Sequence, residues 1–530
     1  MRQILLLLAL VFTLSCNQER KVIQSNKKSI DIFINGQLID WTISPEVNPD
    51  RLEVYCSRDN NQVKILTDID SAVFSIRKNE TIKFQLVLKS KDTAYTEIIG
   101  IKDLPNRISS DDKVYWLSQI WSELKYNFVN IDRIRFDLDS LYKSYIPLVL
   151  TTKNDFEYYR TLQKFMARMH DGHTQVSGEF GAYTDYFPLR FMDFNKKVYI
   201  TSVRKIPAYD STWIGSELIE IEGIPTAQYF ESEIFPYVSA STDQSLWMQG
   251  VYKLHSDLKD HPFMGAIKKR DGSVVKLNLQ RNGEATRTPN DKSWGPEITY
   301  PRDIVKLSWL QNDIALISFN RFQPEEQAIK EFDNIAKELN RAKGVIIDLR
   351  KNGGGSTEVA LHLQKYMTKE NHFLNFSSET RINDGYGKSQ GNYREEYKNY
   401  FLNKAYRSDK PETISVSDTI KRIKCPTVIL IGRYTFSAAE DFLVNIFEVP
   451  DRPILIGEET GGSTGAPLVI RGFPREGLAR ICALRICYPI SSKPFVNSGI
   501  KPDIEVKQTI EDYLNSKDVV LDRAIIELKK

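Results

Sequence analysis

Val345-Ile346-Ile347-Asp348-Leu349-Arg350-Lys351-Asn352-Gly353-Gly354-Gly355-Ser356 runs from an apolar strand through a glycine turn into a helix start. Glycines at the C-terminal end of a buried strand let backbone N–H groups approach a ligand closely, and the helix that follows favours negative charge at its first turn. A phosphate cradle would end in Gly-Lys-Ser or Gly-Lys-Thr, and this turn does not. A hole for a transient oxyanion uses the same physics. A plain strand-to-helix turn with no chemistry is the alternative.

On either side of this stretch, apolar runs at 314–319, 428–431 and 454–456 alternate with helical spacing near 325–340, 356–367 and 437–447. This alternation predicts an α/β layer over residues 304–530, with helices packed on a largely parallel sheet. Directly after the 428–431 strand stands Arg433-Tyr434-Thr435-Phe436-Ser437-Ala438-Ala439-Glu440. Ser437 falls at a helix start, where a serine is either a cap or, with small residues beside it, a nucleophile open to substrate. The segment 379–420 is polar, tyrosine-rich and poorly periodic, and reads as an insertion able to flank the site.

Upstream, residues 108–183 read as a helical segment. Phe156, Leu162, Phe165, Met166 and Met169 share one face of a helix over 155–169 that runs into His170-Asp171-Gly172-His173-Thr174. The helix is expected to end at Gly172, leaving His173 in a loop. The two histidines lack an intervening Glu and a third ligand, so no metal is expected. Residues 184–290 are mixed and strand-rich, with Gly215–Pro225 reading as a strand closed by a turn. Residues 25–103 carry short alternating runs and an Asn35-Gly36 hairpin signal, which predicts a small accessory β-sandwich.

Of the 530 residues, 41% are hydrophobic and 27% charged, which is globular composition and excludes a mostly disordered chain. Lys and Arg total 72 against 69 Asp and Glu, a net charge of +3, so no domain-wide cationic surface for nucleic acid is present. The apolar stretch 4–14 is shorter than the about 20 residues that span a bilayer, and with Arg2 before it and small residues after it reads as a signal peptide over 1–16. Cys16 at its end resembles the acceptor cysteine of bacterial lipoproteins, which implies export to the cell envelope and a lipid anchor in the membrane. Cys56, Cys425, Cys482 and Cys487 show no metal-ligand spacing and allow no assigned disulfide.

Taken together, Asp348-Leu349-Arg350-x-Asn352-x-Gly354-Gly355, Ser437-Ala438-Ala439-Glu440, Gly457-Glu458-x-Thr460, Asp171-Gly172-His173-Thr174 and Gly499-Ile500-x-Pro502-Asp503 resemble the motifs of the tail-specific, or C-terminal processing, serine proteases. The resemblance covers about residues 110–510. It implies a multidomain protein acting on peptides or proteins without cofactor or metal, with a PDZ-like module at 184–290 and the catalytic core at 304–530. It implies Ser437 as nucleophile, with oxyanion N–H groups from Ala438 and from Gly353 or Gly354. The family's Ser-Lys branch carries its lysine at the end of the run that here reads Gly457-Glu458-Glu459-Thr460-Gly461-Gly462-Ser463, and no lysine occurs from Cys425 to Ser492. The chain is therefore similar to the tricorn-like branch, whose histidine base corresponds to His173. That branch orients its histidine through a Glu, sometimes by way of a Ser, shortly before Gly499, where this chain has Lys493-Pro494-Phe495-Val496-Asn497-Ser498; Asn497 is the side chain there able to orient an imidazole. The same fold also serves non-catalytic binders of peptides or lipophilic ligands, which is the alternative function. Near the start of the PDZ-like module stands Phe187-Pro188-Leu189-Arg190 where a glycine-rich carboxylate-binding loop is expected.

Overall fold

The computed structural model describes residues 107–530 apart from 182, 206–208, 259–262, 280–292 and 297–300; before residue 107 it describes only the backbone of seven strands. The signal peptide and Cys16 lie outside the described residues. Two compact units divide at Arg107/Ile108. In the first, Gln37–Thr42, Ser29–Ile34 and Ser71–Phe74 form a three-stranded sheet, and Asn61–Thr67, Arg51–Arg58, Lys83–Lys89 and Ala94–Ile99 form a four-stranded one.

The second unit is organised around a six-stranded sheet in the order Val305–Leu310, Ile314–Phe319, Gly344–Asp348, Thr427–Ile431, Ile454–Gly457 and Ile504–Glu505. The first pair is antiparallel and every later pair parallel. Val345, Ile346 and Ile347 are fully buried, as a central parallel strand covered on both faces requires. Helices Glu325–Glu338, Thr357–Met367 and Ala438–Phe447 supply Phe332, Leu363, Phe442 and Leu443 to the core beneath one face. The strand-to-helix turns after Gly344–Asp348 and Thr427–Ile431 thus open side by side at the C-terminal edge of the sheet, where ligands bind in such folds.

A second core is helical. Ser110–Asn127, Leu138–Leu150 and Asp155–Ala167 begin with Ser109, Asp137 and Asn154, whose side chains accept from backbone N–H groups of the first turn. They pack Leu117, Leu124, Tyr158, Phe165 and Met166 against Ala479 and Ile481 of the hairpin Pro467–Phe473/Gly477–Cys482. This hairpin also pairs with Gln175–Ser177, just after the His173 turn. A third core belongs to the sheet Leu189–Phe194, Lys197–Arg204, Glu217–Ile221, Phe263–Lys268 and Val274–Leu279, on which the helix Asp243–His255 packs Trp247, Val251 and Leu254.

One local expectation is corrected. The helix before His173 ends at Ala167, and the left-handed residue is His170 (φ 50°), not Gly172. Gly172 is needed for space: a Cβ there would stand 3.1 Å from the Phe436 ring and 3.3 Å from Ser463 Cβ. At the start of the 379–420 insertion, Ser377–Arg381 pairs with Leu484–Cys487, and among the described residues no hydrogen bond joins the insertion directly to Ser437, His173 or Ser463.

Candidate active site

Ser437 sits between the Thr427–Ile431 strand and the helix Ala438–Phe447, and its backbone has φ 57° and ψ −130°. That is a conformation L-residues rarely adopt, and such outliers persist where the surroundings over-determine them. Here the Ser437 N–H donates to the Ser463 carbonyl (3.1 Å), its own carbonyl accepts from Glu440 N and Asp441 N, and the Phe436 N–H donates to the Asn352 carbonyl (3.0 Å). The side chain does not cap the helix. It faces His173, with Oγ 3.2 Å from Nε2.

His173 is 7% exposed. Its ring stacks on Phe436 with centroids 4.7 Å apart and planes within 11°. Its N–H donates to Asp171 Oδ1 (2.9 Å), which also accepts from Thr174 Oγ1, so the turn is closed by a buried carboxyl. Nδ1 lies 2.7 Å from Ser463 Oγ. The orienting position expected at Asn497 is therefore taken by Ser463; Asn497 is exposed, and among the described residues no hydrogen bond joins it to the ring. The physical reason is the loop 460–464, which delivers Ser463 to the imidazole from the run where the Ser-Lys branch keeps its base. Burial, with Arg480 adding to it, pushes His173 down to about 4.

Ser463 is itself held by Glu440, the last residue of Ser-Ala-Ala-Glu. Glu440 is fully buried and accepts from Gly462 N (2.7 Å), Ser463 N (2.9 Å) and the Thr460 hydroxyl. Burial nonetheless pushes it up to about 8. The neighbouring Asp441 accepts from the hydroxyls of Thr357 and Thr464, and burial pushes it to about 6. Neither Ser463 nor Glu440 was singled out from the sequence as part of the site. A serine at the usual lysine position was visible, but nothing local says that its hydroxyl reaches a histidine 290 residues away.

The glycine turn packs directly on this elbow. A Cβ at Gly354 (φ +95°) would lie 2.7 Å from both Ser437 Cβ and the Phe436 carbonyl, and 2.9 Å from Ala438 N, so only glycine fits. The Gly354 N–H donates to Asn352 Oδ1 (2.9 Å), while Asn352 Nδ2 donates to the Phe319 carbonyl. Of the two glycines expected to supply an oxyanion donor, Gly354 is thus engaged; Gly353 is exposed and its N–H has no acceptor among the described residues. Ala438 N, at the first turn of its helix, likewise has none. Arg350 of the same motif serves the scaffold, clamping Asp348 and Asp518 through four hydrogen bonds.

Among the described residues no group of His, Cys, Asp and Glu could hold a metal ion, and no helix is long and apolar enough to cross a membrane. Cys425, Cys482 and Cys487 are free thiols.

Residues 313–506 match the model of Peptidase family S41. The chain is 29% identical over 249 residues to the carboxy-terminal processing protease CtpA of Bacillus subtilis (strain 168), a match covering 47% of this chain and 45% of that protein. It thus spans less than half the length of this curated relative. Its fold is similar to that of mature CPAF complexed with lactacystin, with a TM-score of 0.59 at 14% identity, covering 79% of this chain and 98% of that one. A second structure of mature CPAF gives 0.58 at 15% identity, covering 79% and 96%. The chain therefore shares the multidomain fold of these CPAF structures.

Proposed function

We propose that this protein is an exported serine peptidase of the histidine-base type. The observation that carries the reading is the line Ser437 Oγ, His173 Nε2, His173 Nδ1, Ser463 Oγ, with contacts of 3.2 and 2.7 Å at its two ends. With the proton on Nδ1 donated to Ser463 Oγ, Nε2 is the free acceptor for the Ser437 proton. Ser437 Oγ attacks the carbonyl carbon of a peptide bond as its proton passes to Nε2. The oxyanion receives N–H groups of Gly353 and Ala438. Collapse breaks the C–N bond, and the leaving amine takes the proton from Nε2. Water then enters by the same route in reverse, releasing the acid and restoring Ser437.

The substrate class is peptide or protein. Under the same reading residues 184–290 are the PDZ-like module, residues 25–103 an accessory β-sandwich, and Cys16 the lipid attachment that holds the mature protein at the membrane of a bacterial cell envelope. One observation favours the alternative, a non-catalytic binder on the same fold: no carboxylate touches the His173 ring, which weakens it as a base. Labelling with a serine-directed fluorophosphonate separates the two. The expected adduct maps to Ser437 and disappears in His173→Ala, and Ser437→Ala lowers peptide turnover by about 10³-fold or more. Folded protein with no adduct, or with an adduct elsewhere, sinks the enzyme reading.

A further inference from the structure

His173 and Ser463 meet across 2.7 Å but arrive on two loops far apart in the chain. The His173 loop is fixed at its base by Asp171 and Thr174, and the Ser463 loop by Glu440. Neither set of bonds fixes one loop relative to the other. A third segment does so. Residues 241–244 enter the helix Asp243–His255, which belongs to the strand-rich module rather than to the α/β core. Ser241 Oγ accepts from the N–H of Gly172, next to His173 (3.0 Å). Thr242 Oγ1 donates to the carbonyl of Gly461 (3.0 Å), and Gln244 Nε2 to the carbonyl of Thr460 (2.9 Å), on the loop that carries Ser463. The contact is also steric: Gly462 has φ +79°, and a Cβ there would collide with Thr242 Cγ2. A further tie joins the same two parts, since Arg433, four residues before Ser437, pairs with Asp193 and donates to its carbonyl (2.9 Å).

From this juxtaposition the geometry assigns Ser241, Thr242 and Gln244 as positioning residues that set the distance between His173 and Ser463, so that the strand-rich module is a standing part of the catalytic apparatus. The assignment rests on the proposed roles of Ser437 and His173. Polar side chains bonded to backbone groups of both loops hold them in register, and losing one frees a loop whose neighbour is the imidazole. A loosened imidazole aligns less often with Ser437 and admits water. Both effects act on the chemical step and on the basicity of His173, whose charged and titratable surroundings are Arg480, Asp171 and the Glu440 behind Ser463. They leave substrate binding alone.

The test compares Thr242→Val with Thr242→Ser in the full mature chain, reading kcat, KM, the acid limb of the pH profile, the rate of fluorophosphonate labelling and Tm. Thr242 also caps its helix, so Asp137→Ala, which removes the cap of Leu138–Leu150 far from the site, controls for a loss of stability alone. Thr242→Val is expected to lower kcat and the labelling rate by about tenfold, the scale of a misplaced catalytic group, with KM within about twofold of wild type. Its acid limb moves upward toward the ordinary histidine value of about 6.5. Thr242→Ser restores wild-type values, and Asp137→Ala moves Tm without moving the limb. Where Thr242→Val does not fold, Ser241→Ala decides on the same readouts. Wild-type labelling at Ser437 with unchanged kcat and limb in Thr242→Val overturns this assignment and leaves the peptidase reading standing. Wild-type protein without an adduct at Ser437 removes both.

Discussion

The pH dependence of turnover tests the site most directly, because the structure and the isolated imidazole give different answers. An unperturbed histidine titrates at about 6.5; His173 is pushed down to about 4, first by burial and then by Arg480. A base works only when neutral. At pH 5.5 a group of pKa about 4 is still about 97% neutral, whereas one of about 6.5 is only about 9% neutral. The expected profile of kcat/KM for an uncharged ester or peptide is therefore flat from neutrality down to about pH 5.5 and half-maximal near about 4. The same shift makes the imidazolium about 3 kcal/mol harder to form than in water, which slows the chemical step at every pH. By linkage it also costs folding stability as pH falls from about 6.5 to about 4, because the unfolded chain takes up that proton first. The raised Asp171, Asp441 and Glu440 carry the opposite sign: their contribution is full below the unfolded carboxyl value and lost as pH rises through about 6 to 8. Circular dichroism at each pH separates unfolding from titration. A tenfold fall in kcat/KM by pH 5.5, with the fold intact, refutes the buried-imidazole account. Arg480→Gln should shift the limb upward, by less than opening the site to water would.

Glu440→Gln places an amide NH2 where two carboxylate oxygens accept three donors. It is expected to lower thermal stability by about 1–3 kcal/mol, the cost of an unsatisfied buried polar group, and to reduce kcat with it; unchanged Tm and kcat would remove Glu440 from the support of Ser463. Gly354→Ala inserts a Cβ within 2.7 Å of Ser437 Cβ and should abolish fluorophosphonate labelling while the protein still folds; normal labelling would show that the turn can yield. Cys16→Ser should move the protein from the membrane fraction to the soluble one, and mass spectrometry of mature protein with an unmodified Cys16 would defeat the anchor.

Much of the core was legible because its strands are buried on both faces and read as continuous apolar runs. The strand expected over 314–319 is Ile314–Phe319, and that over 428–431 is Thr427–Ile431. Ser437 and His173 stand out through motif context, and the structure brings Oγ and Nε2 within 3.2 Å of each other. Ser463 and Glu440 do not, because their part is set by a loop that folds back across the sheet edge and leaves no periodicity. No carboxylate stands in the run 493–498 before Gly499, and the partner of Nδ1 is instead a hydroxyl from the preceding loop. Within the helical segment expected over 108–183, the helix Leu138–Leu150 carries Pro147 in its last turn, where the missing N–H deprives the Lys143 carbonyl of its intrahelical donor.

The strand that follows His173 has no partner of its own in the neighbouring sequence. Among the described residues Gln175–Ser177 pairs only with Leu478–Arg480, and Cys482 N–H donates to Thr174 Oγ1. On a ribosome, His173 emerges some 300 residues before the hairpin that clasps its turn, and Ser437 emerges between the two. Contacts of such long range form late. The half-made chain therefore holds a serine and a histidine that cannot yet meet. Under the proposed function, the pairing of Ser437 with His173 waits for the arrival of residues 478–482.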